Sequence, residues 1–275
     1  MDRQALKPPF AYYGGKMSLG PEIASMLPDH DHYVEPFAGS LAVLLAKEPS
    51  RAETVNDLDG DLIAFWRVLR DDPESLALAA LLTPHSRDEY EASKSLSDAG
   101  TDLERARRVW VRLSQGRSHS MKPTGWKNAV KATARQPLPD TLVTFARRIL
   151  PAADRLKSVT LENRDALDVM RDYGSEPSVC IYADPPYVGS TRAANYGIEM
   201  VRDDQHEDFA QVCNDARASV VISGYGSALY DEAFAGWYRH EFPPTRGLHG
   251  RATDAEVLWS NRPLGEPDLF TEMGA

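Results

Sequence analysis

The stretch Asp184-Pro185-Pro186-Tyr187 closes the apolar run Val179-Cys180-Ile181-Tyr182-Ala183, so a buried strand delivers a carboxylate, a proline carbonyl and an aromatic ring to one rim of a sheet. The carboxylate and the carbonyl only accept hydrogen bonds, and the phenol ring offers a flat face. Together they suit a planar base that carries an amino group. The two acceptors take its two N–H bonds and the ring stacks. The chemistry that fits is placement of a methyl group on that exocyclic nitrogen, with Asp184, Pro185, Pro186 and Tyr187 as the catalytic candidates.

The elements that must hold these groups read as strand–helix alternation. Tyr33-Val34 runs into the small-residue turn Glu35-Pro36-Phe37-Ala38-Gly39-Ser40. A helix with Leu41, Leu44 and Leu45 on its apolar face follows, ended by Pro49, and Thr54-Val55-Asn56-Asp57 reads as the next strand. Ile63 to Leu69 mark a further helix. Alternation resumes with a strand at Val159 to Asn163, a helix over Ala166 to Tyr173 and the strand Val179 to Ala183. A helix around Gln205 to Ala216 precedes strands at Ser219 to Tyr225, Trp237 to Phe242 and Glu256 to Ser260. Repeated units of this kind predict an α/β fold, a doubly wound and mostly parallel Rossmann-like sheet with helices on both faces. Ligands bind beyond the carboxyl ends of such strands, where Gly39, Asp57 and Asp184 all fall.

Between residues 76 and 150 the character changes to helical patterns around a Pro/Gly-punctuated loop, which predicts an inserted, mainly helical domain between catalytic segments 1–75 and 151–275. The whole chain of 275 residues carries a net charge of −10. From Arg105 to Arg148, however, eleven Lys and Arg stand against the single acid Asp140. Such local clustering attracts phosphates whatever the total charge. The basic residues continue through the turn-rich stretch Gly116 to Lys127, beyond what one solvated helix face explains. Arg117, Lys122, Trp126, Lys127, Lys131 and Arg135 are the candidate nucleic-acid contacts. Absence of a long apolar run and of a signal pattern predicts a cytoplasmic protein with no membrane association. Cys180 and Cys213 read as small buried residues, with neither disulfide nor metal spacing. His30-Asp31-His32 reads as a solvated turn, so no metal is expected.

A glycine turn between a first strand and its helix lets backbone approach a cofactor, and an acid ending the second strand can accept ribose hydroxyls. Gly39 and Asp57 are placed for this, although Asp57 taken alone reads equally as an acid at a helix N-terminus. The phosphate loop and the three-glycine dinucleotide fingerprint are both absent. What remains is a nucleoside-containing cofactor with no required pyrophosphate.

Four stretches, in order, resemble the S-adenosylmethionine-dependent DNA adenine-N6 methyltransferases of the Dam type (D12 class). They are Pro9-Phe10-Ala11-Tyr12-Tyr13-Gly14-Gly15-Lys16, Glu35 to Ser40, Asn56-Asp57-Leu58-Asp59-Gly60-Asp61-Leu62, and Asp184 to Tyr187. The resemblance covers essentially the whole chain and includes a basic insert before the last stretch. It implies that Tyr12 stacks near S-adenosylmethionine, Lys16 lies at or near its carboxylate, Phe37 and Gly39 line its pocket, Asp57 holds its ribose, and Asp165 meets its adenine amino group. It implies as substrate an adenine flipped out of duplex DNA, with insert 76–150 recognising the target. A free monomer, with a restriction endonuclease of the same system as a candidate partner, is the associated expectation. Two departures stand out: Tyr12 replaces the family's usual tryptophan, and Leu41 stands where a second glycine is common. The competing readings are RNA adenine or another amino or amide nitrogen as acceptor, and a non-catalytic DNA-binding protein that keeps the fold.

Overall fold

Seven strands pair into one sheet, and the alternating side chains of its central strands divide the interior into two layers. The computed structural model describes residues 5–128, 137–186, 203–243 and 255–265. The strands are β1 (His32–Glu35), β2 (Ala52–Asn56), β3 (Val159–Glu162), β4 (Val179–Ala183), β5 (Ser219–Tyr225), β6 (Tyr238–Glu241) and β7 (Glu256–Ser260), in the spatial order β3-β2-β1-β4-β5-β7-β6. The five strands from β3 to β5 are parallel; β7 runs antiparallel between β5 and β6. All five residues of β4 are buried, as its unbroken apolar run requires of a central parallel strand.

Successive residues of the strands face opposite layers. Tyr33, Cys180, Tyr182 and Val221 join one core, and Val34, Ile181, Val220 and Ile222 the other. The first layer is covered by α1 (Gly20–Met26), α2 (Ala42–Ala46), α3 (Gly60–Asp71), α4 (Pro73–Leu82), α6 (Asp102–Gln115), α7 (Leu138–Arg147) and α8 (Ile149–Leu156), with α5 (Arg87–Ala92) packed on α6. The second is covered by α9 (Ala166–Gly174), α10 (Asp203–Asp215) and α11 (Ala228–Ala233).

The helices of the insert are not a detached unit. Leu76, Trp110, Leu113, Leu142, Phe145 and Ile149 share one core with Phe10, Tyr33 and Trp66. Trp110 Nε1 donates to Pro9 O at 2.9 Å, and the boundary expected at 150/151 falls inside α8. The reason is apolar: α6 needs a partner for its buried stripe and finds it on α3 and the N-terminal segment. Among the described residues no helix is long and apolar enough to cross a membrane.

From β1 the chain steps to β2 and β3 on one side, then returns to β4 on the other. The carboxyl ends of β1 and β4 therefore flank a topological switch point, the crevice in which α/β sheets bind ligands.

Candidate active site

One wall of the crevice is the turn after β1. Gly39 has φ +46°, and a Cβ there would lie 3.1 Å from the Tyr12 ring, so only glycine lets the turn adopt this shape against Tyr12. The turn is tied to the end of β2: Ala38 N donates to Asn56 O at 2.8 Å, and Gly39 N donates to Asp57 Oδ2 at 3.0 Å. Asp57 Oδ1 accepts from Asp59 N at 2.9 Å. Asp57 lines the cavity, and its carboxylate keeps acceptor capacity that a ribose hydroxyl can use. Burial raises the Asp57 carboxyl to about 6, opposed by the N–H groups of Asp59, Gly39 and Leu58.

The opposite wall is the end of β4. Lys16 Nζ lies 2.7 Å from Asp184 Oδ1 and 2.8 Å from Oδ2, and also donates to Gly14 O. Ser223 Oγ donates to Asp184 Oδ1 at 2.9 Å, and the Tyr182 hydroxyl lies 2.9 Å from Ser223 Oγ. Lys16 is only 5% exposed. Burial lowers its pKa, yet Asp184 and then Glu256, 3.4 Å away, outweigh burial and raise it above the ordinary lysine value. The ammonium expected near a cofactor carboxylate is thus seated on Asp184. Between the walls stands Glu35, 3% exposed and accepting from the Tyr33 hydroxyl at 2.9 Å. Burial pushes its carboxyl up to about 8; the Tyr33 bond opposes this and the charge of Asp184 adds to it.

These groups enclose a cavity of about 360 Å³. Tyr12, Lys16, Phe37, Gly39, Asp57, Asp165, Asp184 and Pro186 all line it. Pro185 is buried beside it, and Tyr187 lies outside the described residues. Asp165 caps α9 through Oδ1, accepting from Leu167 N and Asp168 N, which fixes its carboxylate at the rim. Phe37 is held edge-on by Phe209 of α10. The sequence reading did not single out Glu35, Tyr182 or Met121, which also line the cavity. A carboxylate ending an apolar strand was the available signal for Glu35; Met121 carries none.

The basic loop is closed by a bridge between Gly116 and Trp126, with Arg117 N donating to Gly125 O and Lys127 N to Gln115 O. Arg117 is exposed, and its Nε donates to Trp126 O at 3.1 Å. Lys122 and Lys127 are half-buried, the latter 3.2 Å from His119 Nε2. Trp126 stacks with His85 at 4.8 Å between ring centres, and the Arg87 guanidinium lies over it. That side chain is thus already engaged within the protein. Lys131 and Arg135 lie outside the described residues. The loop reaches the cavity: Tyr13 N donates to His119 O at 2.8 Å, and Met121 contributes to the lining.

A family model described as D12 class N6 adenine-specific DNA methyltransferase matches residues 12–243. The Type II methyltransferase M1.LlaDCHI of Lactococcus lactis subsp. cremoris is 34% identical over 118 residues, 39% of this chain. The match spans 40% of that relative's length. Among solved structures, SMU.1697c from Streptococcus mutans in complex with SAH is 7% identical with a TM-score of 0.35, over 88% of this chain and 94% of that one. A SAM-dependent methyltransferase from Agrobacterium tumefaciens is 11% identical with a TM-score of 0.36, over 89% of this chain and 60% of that one.

Proposed function

The chain belongs to the D12 class N6 adenine-specific DNA methyltransferase family, and on that premise we propose that it transfers a methyl group from S-adenosylmethionine to N6 of an adenine flipped out of duplex DNA. The observation that carries the proposal is the single crevice: the turn after β1, the acid after β2 and the Asp184 wall line one cavity. A volume of about 360 Å³ is in the range of small-molecule sites.

The residues fit the cofactor on their own chemistry. Asp57 keeps acceptor capacity for a ribose hydroxyl, Gly39 keeps the turn clear of a Cβ, Tyr12 and Phe37 supply apolar faces, and Asp165 is an acceptor at the rim. When bound, S-adenosylmethionine supplies an electrophilic methyl group. The protein's task is the nucleophile. The lone pair of adenine N6 is delocalised into the ring, and in a duplex the base is stacked. Flipping costs a few kcal/mol, and stacking on Tyr187 returns about 1–3 kcal/mol. The Asp184 carboxylate and the Pro185 carbonyl accept the two N6–H bonds, which favours a tetrahedral nitrogen with a localised lone pair. The same carboxylate opposes the positive charge that develops on N6.

Segment 76–150 is assigned to target recognition on the strength of the exposed basic loop beside the cavity. A free monomer and a restriction endonuclease of the same target specificity are the partnership we favour. The test is transfer of labelled methyl to unmethylated duplex DNA, with the product base identified as N6-methyladenine. Asp184→Ala should lower transfer by at least about a hundredfold, the scale of lost electrostatic stabilisation, while DNA binding persists. Robust transfer by that variant sinks the assigned chemistry.

A further inference from the structure

Asp184 has to present a carboxylate oxygen in one orientation, and the strands beside it carry a device for that. An ionised carboxylate offers about four lone-pair sites on its two oxygens. Lys16 Nζ takes one on each oxygen, at 2.7 and 2.8 Å, and Ser223 Oγ takes a second on Oδ1 at 2.9 Å. Oδ1 is then saturated, and Oδ2 keeps one free site.

The direction of the chain behind Ser223 follows from the carboxylate. An ionised carboxylate cannot donate, so the Ser223 hydroxyl gives its proton to Asp184 and its oxygen accepts from the Tyr182 hydroxyl, 2.9 Å away. Both residues are buried, Ser223 at 0% and Tyr182 at 1% exposure. Ser223 stands near the end of β5, and Tyr182 on β4, so the chain crosses between the two strands that flank the carboxylate. Donors that point the same way polarise one another.

We propose that Ser223, held by Tyr182, is a positioning residue for methyl transfer: it closes Oδ1 so that the target amine meets only Oδ2, which sets the direction of the nitrogen lone pair. The inference rests on the methyl-transfer reading above. It goes beyond that reading in naming which oxygen serves the substrate and which residues enforce the choice. In Ser223→Ala, Oδ1 regains a free site; the amine is shared between two oxygens and its lone pair is misdirected.

The experiment is single-turnover transfer to unmethylated duplex DNA by the full chain at saturating cofactor, with cofactor and DNA affinities measured on the same preparations. Ser223→Ala should slow transfer by about 10- to 100-fold, the scale of an ångström of misplacement, with both affinities within about twofold of the parent, the change expected where neither binding surface is touched. Ser223→Cys, whose thiol is a weak donor, should recover part of the rate. Tyr182→Phe should show a smaller loss than Ser223→Ala. Transfer by Ser223→Ala at the parent rate would overturn the positioning role and leave the methyl-transfer reading standing. Equal losses in the Ala and Cys variants, tracking a fall in melting temperature, would also overturn it by showing a packing role. A parent chain that moves no methyl group removes the reading and the positioning role together.

Discussion

At Asp57, burial lifts the carboxyl to about 6 against the N–H donors of Asp59 and Gly39. If the ribose hydroxyls are held by its two oxygens, protonation turns one acceptor into a donor. Cofactor affinity should therefore fall as pH drops through about 6, with a limiting slope of about tenfold per unit for one proton. Calorimetric titration of cofactor between pH 5 and 7 checks this, and Asp57→Asn should bind weakly with a flat profile. Glu35 carries a different consequence, for stability. Its folded value near 8 lies above the ordinary 4.5, so the native state binds the extra proton. That contribution is complete below about 4.5 and is lost as pH rises toward 8. From about pH 7 upward Asp57 is largely ionised, so Glu35 dominates this pair there. Glu35→Gln keeps an acceptor for the Tyr33 hydroxyl without a charge. Its melting temperature should decline less than the parent's from pH 6 to 8 and exceed it at pH 8. Parallel melting curves for the two proteins would contradict the buried-carboxyl account.

Among the elements, α2 shows how a departure in sequence is absorbed. Leu41 occupies the place where a second glycine is common, and it adopts φ 55°, ψ 34°, left-handed and fully buried at the helix N-cap. The backbone keeps the glycine-like conformation at about 1–2 kcal/mol of strain, which the packing of the leucine side chain offsets. Here the usual order of small substitutions should invert. Both Leu41→Ala and Leu41→Gly lose the buried side chain, costing roughly 2–5 kcal/mol, but only glycine relieves the strain. Leu41→Gly should unfold at a higher denaturant concentration than Leu41→Ala, by about 1 kcal/mol. The strands were legible because their pattern is local: β4, β5 and β7 begin and end where the apolar runs do. Helix α2 stops at Ala46, short of Pro49, because Lys47 leaves the helix to bind Glu53 and Ser50. The seating of Lys16 on Asp184, 168 residues away, depends on strand order, which no local pattern carries.

Across the whole molecule, the basic count in the insert overstates the charge available to a polyanion. Arg105 pairs with Asp61, Arg107 with Glu89 and Glu104, and Arg108 with Glu104. Arg112 is buried on the carbonyls of Ser93 and Met121, and Arg148 donates to Pro8 O. Five of the eleven basic residues between Arg105 and Arg148 are thus engaged inside the protein, Arg105 and Arg148 joining the insert to the rest of the fold and Arg107, Arg108 and Arg112 binding partners within the insert. The acidic partners Asp61, Glu89 and Glu104 all lie before Arg105, outside the window over which the charge is counted. Two kinds of arginine follow, and salt separates them. Each phosphate contact contributes about 0.9 to the slope of log affinity against log salt. Replacing Arg117 and Lys122 together by Gln should reduce the slope for DNA by about two and weaken binding for all sequences alike. Arg107→Gln should leave the slope unchanged and lower the melting temperature, because at the seam between α5 and α6 Glu89 loses its ion-pair partner and Glu104 keeps only Arg108. An unchanged slope in the double variant would move the DNA face off this loop, whereas a reduced slope in Arg107→Gln would show that the ion pairs open when DNA binds.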